Sequence, residues 1–95
     1  MIDTTLRQRK IAELIRRTIS NALLLSNVNF SFDSSLIVCT KVEIDQKLTN
    51  AKVFLSNIIP TIKLEIQEKD LFLLKQGLAK NLRMKKIPQI NFVIV

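Results

Sequence analysis

Leu36-Ile37-Val38-Cys39-Thr40-Lys41-Val42-Glu43-Ile44, the polar interval Asp45-Gln46-Lys47-Leu48-Thr49-Asn50, and Ala51-Lys52-Val53-Phe54-Leu55-Ser56 are the stretch that decides how this chain folds. In the first run successive side chains alternate. Val38, Thr40, Val42 and Ile44 share one face of an extended chain, and Ile37, Cys39, Lys41 and Glu43 share the other; the β-branched content suits a strand. The second run alternates in the same way, so the short polar interval predicts an antiparallel pair. That pairing would set Lys52 beside Glu43 or Asp45 across the ladder. Phe30 and Phe32 extend the alternation upstream.

On the N-terminal side, Ile11, Leu14, Ile15, Ile19 and Ala22 recur at three- and four-residue steps, predicting a helix from Thr4 to about Leu25 that is buried on one side. Arg9, Lys10, Glu13, Arg16 and Arg17 take the opposite face. Asp3, Thr4 or Thr5 supply a capping oxygen, and Ser26-Asn27 end the helix. On the C-terminal side, Pro60 suits the first turn of a second helix that carries Ile62, Leu64 and Ile66. A third follows, with Leu71, Leu74, Leu78 and Leu82 on one face and Gln76, Lys80 and Arg83 on the other. Lys85 and Lys86 favour its C-terminal dipole, and Pro88 stops it. Ile90 to Val95 reads as a last strand, expected to be central or paired at once because an apolar edge invites aggregation. The five phenylalanines, Phe30, Phe32, Phe54, Phe72 and Phe92, read as core.

The order is α-β-β-α-α-β, an α+β fold in which helices cover one face of a three-stranded sheet. Its 95 residues, 47% hydrophobic and 24% charged, with one Gly and two Pro, describe a single domain over 1–95 able to bury a core. There is no histidine, and Cys39 is the only cysteine, which removes zinc and iron-sulfur ligand sets and any disulfide within the chain. Cys39 itself reads as a buried small hydrophobe. No apolar run approaches a membrane span and the first ten residues are too charged for a secretory signal, so a reducing, cytoplasmic setting is expected. A Gly-rich phosphate loop is out of reach with one Gly, and no carboxylate dyad stands out, so neither catalysis nor a small-molecule substrate or cofactor is expected.

The formal charge is +7, and it is uneven. Residues 1–25 carry five basic residues against two acids, net +3; residues 26–70 carry five against six, net −1; residues 71–95 carry Lys75, Lys80, Arg83, Lys85 and Lys86 and no acid, net +5. A face that only keeps a protein soluble usually mixes both signs. If the two ends meet, they make one positive surface suited to a polyanion. With no Tyr or Trp, an aromatic base-stacking platform is not expected.

Thr40-Lys41-Val42-Glu43-Ile44 with Leu48, followed by Ala51-Lys52-Val53-Phe54-Leu55-Ser56, resembles the T-x-V-E-V-S-x-D-L-x-x-A-x-V-Y-[VL]-S signature of the ribosome-binding factor A family. Leu82-Arg83-Met84-Lys85-Lys86-Ile87-Pro88-Gln89-Ile90-Asn91-Phe92 likewise resembles that family's L-R-[LM]-[RK]-x-x-P-x-[LI]-x-F. The likeness spans nearly the whole chain. It implies a KH-like type II domain that binds the small ribosomal subunit (30S) and its 16S-type rRNA, assisting maturation without catalysis, as a cytoplasmic monomer. The family's Ala-x-Gly kink between its second and third helices would fall near Asp70-Leu71-Phe72, where neither Ala nor Gly occurs, and a single helix through that segment would remove the kink. Asp45 and Lys47 also depart from the signature, standing where the family has Ser and Asp.

RNA contact is expected from Arg9, Lys10, Arg16, Arg17, Lys75, Lys80, Arg83, Lys85 and Lys86 as a group. The competing reading is a protein-interaction module with a solubilising basic face. A DNA-binding helix-turn-helix finds no support, because no helix pair joined by a short Gly turn is evident.

Overall fold

A computed structural model describes residues 2–25, 30, 36–59, 66–82, 84 and 86–95 of the chain. Five elements follow one another: α1 (Ile2–Leu25), β1 (Ile37–Ile44), β2 (Asn50–Asn57), α2 (Glu68–Asn81) and β3 (Gln89–Ile94). The result is an α+β, KH-like arrangement with both helices on one face of a three-stranded mixed sheet. The helix expected to begin at Pro60 lies outside the described residues.

β1 and β2 pair antiparallel, as the alternation predicted, and the register sets Glu43, rather than Asp45, opposite Lys52 and Ile44 opposite Ala51. The division of β1 into faces is different from the prediction. Cys39 opposes Leu55 and Lys41 opposes Phe54, so Thr40 is an extra residue, a β-bulge. Before it, Ile37 and Cys39 point into the core. After it, Val42 and Ile44 take the core side while Lys41 and Glu43 turn outward. One inserted residue thus lets both halves of the strand present apolar side chains to the helices.

The connecting turn is built on Asp45, whose carboxylate accepts from the Thr49 amide at 2.7 Å, the Thr49 hydroxyl at 2.7 Å and the Asn50 amide at 3.2 Å. Leu48 takes the left-handed backbone conformation the turn needs, at φ 59. Those hydrogen bonds, the Thr49 hydroxyl's first, hold Asp45 down to a pKa of about 2.

β3 pairs parallel with β2 and occupies a sheet edge, in the order β1-β2-β3. It is paired as expected but is not central. β2 takes the middle because Ala51, Val53 and Leu55, each with no exposed surface, are flanked by partner strands on both sides.

The core joins Ile15, Ile19 and Leu23 of α1 and Leu74 and Leu78 of α2 to Ile37, Cys39, Ala51, Val53, Leu55 and Ile90 of the sheet. Burial raises the Cys39 thiol pKa above its ordinary value, which suits an inert core residue. Three apolar assignments change. Leu14 is exposed on α1, and Phe72 is 60% exposed on α2, because their wheel positions lie off the buried stripes set by Ile15-Ile19-Leu23 and Leu74-Leu78. Phe54 is half-buried on the face of β2 opposite to Ala51, Val53 and Leu55, beside Lys41, and is not in the core. Asp3, Thr4 and Thr5 lie inside α1, whose first residue is Ile2, and not at its cap.

α2 runs unbroken through Asp70-Leu71-Phe72, so the interhelical kink expected there is absent. The physical reason is Asp70. Its fully buried carboxylate accepts the Gln67 amide at 3.0 Å, the reciprocal half of a capping box, which starts the helix at Gln67 and leaves 70–72 as ordinary helix. The fold class rests on element order and sheet pairing instead.

Candidate nucleic-acid interface

α1 packs along β1 on one flank and α2 on the other, with a Cβ placed on Gly77 lying 4.0 Å from the Ala22 Cβ. That contact fixes how the cationic residues are displayed. At about 100° per residue, Arg9, Lys10, Arg16 and Arg17 all lie about 120° or more round α1 from Ala22. They point away from α2. Lys10 and Arg17 face outward, and Arg9 and Arg16 lean to the β1 flank, close enough for the Arg16 charge to be felt at Cys39. Arg7, which the sequence reading left out, is also exposed on α1.

Within this band Glu13 is the one acid, and it is engaged. Its carboxylate binds Arg16 through both oxygens, at 3.0 Å to Nε and 2.5 Å to Nη2, and accepts Arg17 Nε at 3.4 Å. The bond to Arg16 is the main reason that Glu13 titrates at about 2, and the same bond raises Arg16. Among the described residues no ion pair involves Arg9 or Lys10. With Glu13, Leu14 and Arg17 they line an open, shallow depression.

Lys75, Lys80 and Lys86 are exposed, but not together with the α1 band. Lys80 lies about 60° round α2 from Gly77, towards α1, whereas Lys75 is about 160° away on the opposite flank. Arg83 and Lys85 lie outside the described residues. The two ends of the chain are thus neighbours as elements, yet their cations are divided between the α1 band, Lys80 on the α1-facing flank of α2 and Lys75 on its opposite flank. Phe72 was missed as a surface residue. The signal lay in its own neighbours, since Glu68, Lys69, Lys75 and Gln76, one turn to either side, are all polar.

Among the described residues no group of His, Cys, Asp and Glu is placed to hold a metal ion. No described helix is long and apolar enough to cross a membrane.

Comparison with known proteins gives one result of weight: the sequence matches the family model of ribosome-binding factor A over residues 7–94. A search of curated proteins finds no match. The matched span takes in most of α1, the β1–β2 hairpin with the first sequence signature, α2, and the second signature that leads into β3, and the chain belongs to the ribosome-binding factor A family.

Proposed function

We propose that this protein is a non-catalytic assembly factor of the small (30S) ribosomal subunit, binding 16S-type rRNA and assisting its maturation through the exposed cationic face of α1. Membership of the family supports ribosome binding and a part in subunit assembly. The observation that carries the finer reading is the row Arg9, Lys10, Arg16 and Arg17, about two turns of helix answered, among the described residues, by Glu13 alone. Such a row follows a phosphate backbone without reading bases, so affinity comes from counterion release. Lys75, Lys80, Arg83, Lys85 and Lys86 add a second cationic stretch. In this reading the protein works in the cytoplasm as a monomer, with no cofactor and no small-molecule substrate.

The test is binding to purified small subunits, and to an rRNA fragment, across a salt series. A protein making about six phosphate contacts loses roughly 10³ in affinity between 50 and 200 mM salt. Arg9→Glu with Lys10→Glu should weaken binding at least ten-fold and flatten the salt slope, with melting temperature unchanged. Salt-independent binding, or association that survives nuclease away from ribosomal particles, would instead identify a protein-interaction module.

A further inference from the structure

We propose that Phe72 is a single base-stacking contact for single-stranded RNA on the outer face of α2. The inference rests on the RNA-binding reading above and adds to it a mode of contact that α1 does not offer.

Three observations meet at this residue. First, Phe72 is 60% exposed on α2, and the residues one turn to either side of it are polar. Around it stand Lys69 and Lys75, three residues to either side, and Gln76 and Glu68, four residues to either side, all exposed. Two cations and an amide ring the aromatic, with Glu68 the only acid among them. Second, the remaining described phenylalanines are occupied. Phe30 and Phe92 pack against the core, and the Phe54 ring carries the Lys41 ammonium 4.7 Å from its centroid. Phe72 is the one described phenylalanine that is mostly exposed. Third, the start of α2 is a poor phosphate cradle. Glu68 and Asp70 already neutralise its dipole, and the Asp70 carboxylate holds the Gln67 amide.

A ligand suited to this face must therefore offer a planar apolar ring between anionic groups, which is the chemistry of a single-stranded nucleic acid. Bases stack on an aromatic side chain irrespective of sequence while flanking lysines take the phosphates. Gln76 supplies donor and acceptor to a base edge. Beyond it the surface continues as an open depression lined by Leu73, Gln76, Gly77, Ala79 and Lys80, where the missing side chain of Gly77 leaves room along the helix.

The chain holds neither Trp nor Tyr, so Phe72→Trp creates one fluorophore at the site. Its emission should be quenched by oligoadenylate and unaffected by inorganic polyphosphate of matched charge. Phe72→Ala and Phe72→Leu should each weaken oligoadenylate binding about five-fold or more with the salt slope unchanged, and Phe72→Trp should restore it. Far-UV spectra and melting temperatures should match the parent protein, since the side chain is mostly in solvent. Parent-like affinity in Phe72→Ala, or an unquenched Trp, overturns the stacking contact while leaving the α1 reading intact. Loss of subunit binding with oligoadenylate binding retained assigns Phe72 to a protein contact and also overturns it. Absence of any salt-dependent RNA binding by the parent protein removes both readings.

Discussion

Glu13 stands between two arginines and the solvent they would otherwise share with an anion. By binding Arg16 through both oxygens and touching Arg17, it fixes the guanidinium planes and removes one unit of positive charge from the centre of the α1 face. Glu13→Gln keeps the side-chain shape and frees that charge. RNA affinity measured at low salt should rise about two- to five-fold, with a steeper salt slope. Because the ion pair is exposed, the substitution should leave stability nearly unchanged. Asp45 gives the complementary prediction, about folding. Its pKa is lowered from 3.8 to about 2 in the folded protein, so its contribution is fully present above the unfolded value and is lost as pH falls from about 4 towards 2. Urea melts at stepped pH should show Asp45→Ala less stable than the parent at pH 6, with the gap closing by pH 2. A gap independent of pH would mean that the carboxylate's charge is not what holds the turn.

At the scale of the elements, Gly77 faces Ala22 across the contact between the helices. Glycine in a helix interior is disfavoured against Ala by about 0.5–1 kcal/mol. A Cβ there lies 4.0 Å from the Ala22 Cβ, an ordinary van der Waals contact, and so has room. Gly77→Ala should therefore stabilise the protein by about that amount, read as a higher denaturation midpoint at constant slope. A lower midpoint would mean that the α1–α2 contact is tighter than this spacing implies. The elements were legible to different degrees for physical reasons. Although alternation left Lys52 beside either Glu43 or Asp45, the hairpin itself followed from it, and α1 from its apolar period. The bulge at Thr40 did not, because a bulge residue need carry no distinctive chemistry, and its effect appears only when two strands are counted against each other. Nor did the continuity of α2 through Asp70. The break expected at 70–72 came from the family's kink, and only the buried Asp70 carboxylate, bonded to the Gln67 amide, shows that the helix starts before it. Of the candidate interface, the cations were visible as a list, but their separation onto different flanks was not, since it depends on how Ala22 and Gly77 set one helix against the other.

For the whole molecule, the uneven +7 charge becomes a matter of placement. The α1 band and the outer face of α2 lie on different sides of the helix pair, so one RNA strand meeting both must turn around the helical layer. A measured salt slope reports the sum of the two sites. Charge reversal on α1 and removal of the Phe72 ring separate them, because the first changes the slope and the second changes only the intercept. The parallel pairing of β2 with β3 bears on how this surface comes to exist. β1 and β2 meet across a short turn, but β3, separated from β2 in sequence by α2, pairs parallel with it. Local pairings close cheaply and early, and distant ones wait on loop entropy. The hairpin is thus the natural first piece of the sheet, and the acid-free last quarter of the chain is the part whose geometry is settled last.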